Sequence, residues 1–369
     1  MNGIYIHIPF CASKCPYCDF YSLRADDELK SLYADAVCDE IVTSRRAGEY
    51  LASPVRADTL YIGGGTPSVL SGQALFNIIT LAQKQYAMPA GSEITVECNP
   101  SGDIESLIPF FKAAGVNRVS LGMQSAVDAE RKKLGRSSGR DRILAVTDVL
   151  HKGGIDNISL DVMLGVPLQT EQSLLSTLAF AKETGAKHIS AYMLKLEEGT
   201  FFYKNAAKLS LPDDDAVCDM YERCCAELKS AGFVHYEISN FCLPGYESRH
   251  NTKYWRLEDY LGIGAAAHSF TGGKRFFYER DIHSFINGAK PVFDCEGGGA
   301  DEMIMLALRL GEGLSLKKLA DRYGEGACEN IIKKAPLFKK QGLADFDGER
   351  FALTEKGMLL SNSIISQLI

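Results

Sequence analysis

Ile4, Ile6 and Ile8 alternate with Tyr5 and His7 at the start of the chain, the period of two that gives a strand two unlike faces. From Asp26 the period lengthens. Leu29, Leu32, Tyr33, Ala36, Val37 and Ile41 recur at helical spacing, which predicts an amphipathic helix from about Asp26 to Gly48, capped by Asp26 or Asp27. The exchange of short apolar run for helical stripe then repeats. Strand-like runs begin near Thr59 (TLYIG), Glu93 (EITVE), Arg118 (RVSLG), Ile158 (ISLDV) and His188 (HISAY), with amphipathic stretches between them. With the first, they make six strand–helix units, an order that predicts a parallel sheet with helical crossovers. Eight such units would suggest a closed barrel; six suggest an open, partial (β/α)6 barrel.

Past Tyr192 the alternation stops. A helix from about Asp213 to Ala231 carries Val217, Met220, Tyr221, Cys224 and Leu228 on one stripe and ends at Gly232. From Asp301 a further unit begins. Met303, Ile304, Leu306, Ala307, Leu308 and Leu310 read as a buried helix, a second starts at Leu314, and Leu343 to Leu353 reads as a hairpin turning at Asp347-Gly348. Helices followed by a hairpin suggest a winged-helix-like module. Its ten Lys/Arg and ten Asp/Glu leave no basic excess, so packing or protein contact is expected of it rather than DNA binding. The expected organisation is a core at 1–230, a connecting region at 231–298 and a C-terminal module at 299–369.

Composition narrows the setting. With 46% hydrophobic and 24% charged residues the chain reads as an ordinary globular protein. No apolar run approaches the roughly 20 residues that span a bilayer, and no basic segment leads into a long apolar one, so neither an integral membrane segment nor a signal peptide is expected. Eleven cysteines in such a chain imply a reducing, cytoplasmic setting in which thiols stay free for metal. The formal charge of −7 argues against nucleic acid as a partner.

The candidate chemistry lies at the strand ends. The first strand runs into Cys11, Cys15 and Cys18, a CxxxCxxC set. Three thiolates so spaced can hold three corners of a cubane iron–sulfur cluster and leave one iron open, or they can supply three-quarters of a structural zinc site. The second strand ends in Gly63-Gly-Gly-Thr-Pro67, where glycine lets the backbone approach a ligand closely, although a plain tight turn fits as well. The later strands end in Glu97-Cys-Asn-Pro100 and Gly122-Met-Gln-Ser125, then Asp161 with Gly165-Val-Pro167, then Tyr192 and Glu197-Glu-Gly199. In β/α barrels the loops after the strands converge on one face, so six successive strand ends rich in glycine and polar residues predict the site there. Arg118, at the start of a strand, is assigned a structural role.

HIPFC followed by CPYCDF resembles the cluster loop of the radical S-adenosylmethionine (radical SAM) superfamily, within it the HemN/HemW subfamily. Phe20, where HemN-type oxidases carry a cysteine, together with HNxxYW (His250 to Trp255) and YxGxGxxAHS (Tyr260 to Ser269), resembles the HemW side, the heme chaperones. The resemblance implies a (β/α)6 radical SAM core and a [4Fe-4S] cluster on Cys11, Cys15 and Cys18. It also implies an S-adenosylmethionine pocket of Tyr5, Gly64, Gly65, Thr66, Glu97, Gln124, Arg136 and Asp161, with the glycine turn on the methionine amine and Arg136 on its carboxylate. Heme is the implied cargo and apo-hemoproteins the implied acceptors. His250 is the first candidate for a heme ligand, His268 the second and His7 the third. A homodimer and S-adenosylmethionine turnover are left open. The alternative function is oxidative decarboxylation of coproporphyrinogen III propionates by the same cofactors.

Overall fold

The structure, a computed structural model, describes residues 1–43, 48 and 55–369. Six strands, β1 (Asn2–Ile8), β2 (Ala57–Gly64), β3 (Glu93–Cys98), β4 (Arg118–Gln124), β5 (Asn157–Leu164) and β6 (His188–Met193), lie side by side in chain order and pair in parallel. Each hands over to a helix, as the spacing predicts. The first, Asp27–Thr43, is capped by Asp26, whose carboxylate accepts from the Leu29 N–H at 2.9 Å. The stretch expected to carry this helix to Gly48 lies outside the described residues, apart from Gly48 itself. Leu32, expected on its apolar stripe, is exposed.

The period of two sorts the strands onto two faces. Ile4, Ile6, Leu60, Ile62, Val96, Val119, Leu121, Leu160 and Ile189 form the apolar face and pack into one core with Val37, Leu75, Ile78 and Leu178 of the helices. The other face is polar. Glu97 pairs across the sheet with Ser120, Ser120 with Ser159 and Ser159 with His188, while Gly122 pairs with Asp161 and Asp161 with Ser190. A sheet with both faces covered normally shows continuous apolar strands. Here the inner face is kept polar, as a site requires.

The alternation does stop after β6, but the sheet does not. It extends past β6 through the antiparallel β8 (Asn240–Cys242) and β7 (Val234–Glu237). Beyond β1 it gains β9 (Tyr260–Ile263), which is parallel to β1, then antiparallel β10 (His268–Thr271), β11 (Lys274–Phe277) and β12 (Val292–Glu296). Phe233, Phe241, Leu261, Ile263, Phe276 and Phe285 share the core of Ile4 and Ile62, so the region expected as a connector is built onto the barrel. Residues Ile304 to Leu368 enclose a second core around a three-stranded antiparallel sheet, β13 (Leu314–Ser315), β14 (Ala344–Phe346) and β15 (Arg350–Leu353). Backbone bonds from Ile238 N to Arg309 O (2.9 Å) and from Gly311 N to Tyr236 O (2.8 Å) tie this module to the barrel. Among the described residues, no helix is long and apolar enough to cross a membrane.

Candidate metal and cofactor site

A cavity of about 370 Å³ opens at the strand ends, and its wall gathers Cys11, Cys15 and Cys18 with Gly64, Gly65, Thr66, Glu97, Gln124, Arg136 and Asp161. All the expected cluster ligands and seven of the eight expected cofactor residues therefore meet on one surface. The loop that carries the cysteines is held from below. Pro16 O accepts from Phe202 N (3.0 Å), Tyr17 packs against Phe202 in a small apolar cluster with Leu134, and Cys18 N donates to Cys15 O (3.1 Å). The loop's three thiols are partly exposed and free of disulfides.

The glycine turn is explained by close packing. Gly65 N donates to Ile8 O (2.9 Å) and Thr66 N to Phe10 O (2.8 Å), stitching the turn to the start of the cysteine loop, and Thr66 Oγ1 lies 3.4 Å from Cys11 Sγ. Gly64 N donates to Glu97 Oε2 (3.1 Å). With these three N–H groups engaged, the turn offers a ligand acceptor oxygens, which suit an ammonium better than an anion. A Cβ on Gly65 would sit 2.6 Å from Phe10 O and 2.9 Å from Phe10 N, both backbone atoms that cannot rotate away. Gly65→Ala is therefore expected to cost about 1–3 kcal/mol of stability and to lower cluster retention by shifting the loop. Urea midpoints and iron content after reconstitution measure the two effects. An unchanged midpoint with full iron would overturn the packing argument.

Two buried carboxylates face the cavity. Tyr61 donates its hydroxyl to Glu97 Oε1 (2.7 Å), and Ser120 donates to Asp161 Oδ1 (3.2 Å). Burial pushes Glu97 up to about 7 against the pull of these donors, with Asp161 adding to the rise, and burial pushes Asp161 up to about 6. Desolvated carboxylates held near neutrality favour a cationic ligand, whose charge restores their ionised forms. Arg136 donates to the Tyr17 hydroxyl (2.9 Å), and its Nε is buried without a partner. Gln124 is held at φ +70°, beside a break in the β4–β5 register; a non-glycine residue in this region stores strain that a site can justify.

Arg118, expected to be structural, belongs to the site's surroundings. The structure puts its side chain in the cavity wall, 1% exposed and with Nε unpartnered. Arg118, Ser120, Gly122 and Gln124 alternate along β4 and all four reach the cavity, as do Ser190, Tyr192 and Asn251. Period-two reading of β4 carries the signal that finds Arg118.

Two expected residues lie elsewhere. Tyr5 pairs with Tyr61, which reaches the cavity, but Tyr5 is not itself part of that wall. Its hydroxyl lies 2.9 Å from His7 Nδ1. His250, the first candidate for a heme ligand, has both ring nitrogens engaged. It is 1% exposed, with Nδ1 2.9 Å from Thr59 Oγ1 and Nε2 2.8 Å from the Tyr254 hydroxyl. Burial pushes its pKa down to about 3. The ring is a neutral structural bridge that fixes the helix Arg249–Trp255 to β2, while Glu93 caps that helix by accepting from the Arg249 and His250 N–H groups (both 2.9 Å). His7 is likewise engaged, at 2.9 Å from the Tyr5 hydroxyl and 3.2 Å from Tyr21 O.

The family model described as the radical SAM superfamily matches residues 5–181, and that of the HemN C-terminal domain matches residues 300–360. The chain is 33% identical to the heme chaperone HemW of Mycobacterium tuberculosis, over 100% of this chain and 94% of the relative. It is also 33% identical to the heme chaperone HemW of Escherichia coli, over 98% of this chain and 97% of the relative. The chain belongs to the HemW family. Coproporphyrinogen III oxidase (HemN) from Escherichia coli has the same fold, with a TM-score of 0.82 at 22% identity over 99% of this chain and 89% of that one. For a HemW-family chain, the radical SAM core implies a [4Fe-4S] cluster and S-adenosylmethionine. The residues present fit both groups: three free thiols at one cavity beside two cation-seeking carboxylates and an incompletely paired guanidinium.

Proposed function

We propose that this protein carries heme and passes it to apo-hemoproteins, with a cluster on Cys11, Cys15 and Cys18 and S-adenosylmethionine beside it. The observation that carries the reading is the full-length likeness to proteins named heme chaperones, which includes the region 231–298 and the C-terminal module. In this reading Glu97 and Asp161 take the cationic part of S-adenosylmethionine, with Gly64, Gly65 and Thr66 offering oxygens to its amine. Arg136 pairs with the carboxylate, a geometry that a planar guanidinium serves well. Gln124 closes the wall. The bound cluster supplies one-electron chemistry. The protein's own contribution is a desolvated, charge-matched seat that holds the cofactor close to the cysteine loop.

A heme titration on the anaerobically reconstituted protein, followed by gel filtration and a visible spectrum, tests this. A stoichiometric Soret-absorbing complex that survives the column is the expected result. Heme that elutes free overturns carriage. Release of 5′-deoxyadenosine in the presence of coproporphyrinogen III would then favour the oxidase alternative.

A further inference from the structure

A second cavity, of about 460 Å³, lies beside the first and falls within the size range of cofactor pockets. Phe20, Tyr254, Trp255, Tyr260 and Phe270 give it aromatic walls, and His268, Arg275 and Arg280 supply nitrogen. Phe20 is 67% exposed and lines both cavities, so a large apolar side chain stands between the cysteine loop and the aromatic pocket with much of its surface uncovered. An exposed phenylalanine beside other aromatics marks a surface that a flat apolar ligand would cover.

We propose that this aromatic cavity is the heme seat, with His268 as the iron ligand and Arg280 as the partner of a heme carboxylate. The proposal rests on the carrier reading and adds the place and the ligand. Elimination leads to His268. Of the seven histidines, His7, His151, His188, His235 and His250 have ring nitrogens engaged with neighbouring groups. His283 is exposed on the short helix Ile282–Ile286, outside the cavity wall. His268 is exposed and lines the cavity, and no ring hydrogen bond to it is found among the described residues. Its ring stacks on Phe277, the residue opposite it on β11, with centroids 5.2 Å apart and planes 25° apart, which holds the imidazole in place without occupying its nitrogens.

The competing oxygen ligands in the wall are committed. The Tyr5 hydroxyl meets His7, the Tyr21 hydroxyl accepts from Ile282 N, the Tyr254 hydroxyl meets His250, and the Tyr260 hydroxyl accepts from Arg275. Glu258 pairs with Lys253. Arg275 pairs with Glu302 and lies over the Phe270 ring, 4.6 Å from its centroid, so it supports the wall. Arg280 is exposed and makes no ion pair among the described residues, which leaves its guanidinium for a carboxylate at the rim. Partial desolvation of the His268 ring lowers its pKa, with Asp294 opposing and Arg280 and Arg275 adding, a direction that favours the neutral imidazole a metal ligand requires.

The test compares heme titrations of the anaerobically reconstituted wild type with His268→Ala, Arg280→Ala and a His283→Ala control. His268→Ala is expected to weaken heme binding by about tenfold or more, the equivalent of one lost specific interaction, and to shift the Soret band, with free imidazole restoring the spectrum. Arg280→Ala is expected to weaken heme but not heme dimethyl ester, whose carboxylates are blocked. His283→Ala binds as wild type does. Wild-type affinity and an unshifted Soret band in His268→Ala would overturn the ligand assignment and leave the carrier reading standing. A wild type that binds no heme would overturn carriage itself, and the seat with it.

Discussion

Cys11→Ala, Cys15→Ala and Cys18→Ala are each expected to leave the reconstituted protein without a stable cluster, with iron and sulfide at background. Three thiolates are already the smallest set that leaves one iron open, so no ligand is redundant. Removing a ligand should exceed the roughly 10–100-fold loss that follows removal of an outer partner. One residue makes this a sharp test. Cys98 lines the same cavity and stands as the obvious substitute ligand. It is buried, and burial pushes its thiol up to about 12, with the Ser68 hydrogen bond pulling only partly back. Such burial disfavours the thiolate that a cluster ligand must supply. Cys98→Ala is therefore expected to keep full iron, as is Cys38→Ala, which sits in the helix Asp27–Thr43. A full cluster in any of the three loop variants would refute the ligand set, and its loss in Cys98→Ala would show that the set is incomplete.

The parts of the site that sequence made legible are those with short-range causes. Six strands are readable because each alternates or runs apolar between helical stripes, and strand-end residues converge because parallel β/α units place their loops on one face. Hence Glu97, Gln124 and Asp161 could be placed together from their strand positions alone. The glycine turn was legible as a close approach, but what it approaches was not. Its N–H groups serve Ile8, Phe10 and Glu97, partners far away in the chain. The setting of His250 was hidden for a related reason. A histidine followed by a tyrosine four residues on is as suited to a buried bridge as to a metal, and only the position of Thr59 on a distant strand decides between them. The edges of the sheet were also hidden. Strands of three to five residues, such as β8 and β12, are too short to show a period.

Arg118→Met is expected to destabilise the ligand-free protein by about 3–5 kcal/mol at pH 7.5, the cost of removing one partner from a buried charge group. Arg118 is fully buried. Burial alone would pull its pKa down, but Glu93, Tyr61, Tyr236 and Asp161 hold it up. Its charge in turn lowers the pKa values of Glu97 and Asp161, which burial has raised to about 7 and about 6. A carboxylate whose folded pKa lies above its unfolded value binds more protons when folded, so it favours folding below its unfolded pKa, and that contribution is lost as pH rises through the folded value. In the wild type this loss falls between about pH 4 and pH 7, from about 4 to 6 for Asp161 and from about 4.5 to 7 for Glu97. Without Arg118 both carboxylates rise further, the loss extends to higher pH, and it grows. At pH 5 the two groups are already protonated in either protein, so the variant's deficit there is smaller and comes mainly from Glu93 and the space left behind. Methionine fills much of that space with a flexible apolar chain, so the electrostatic part should dominate at pH 7.5. Urea unfolding of both proteins at pH 5 and pH 7.5 separates the parts. An equal deficit at the two pH values would mean that Arg118 acts by packing. A deficit that shrinks at pH 5 would make Arg118 the cation that permits two buried carboxylates to wait, ionisable, for a cationic ligand.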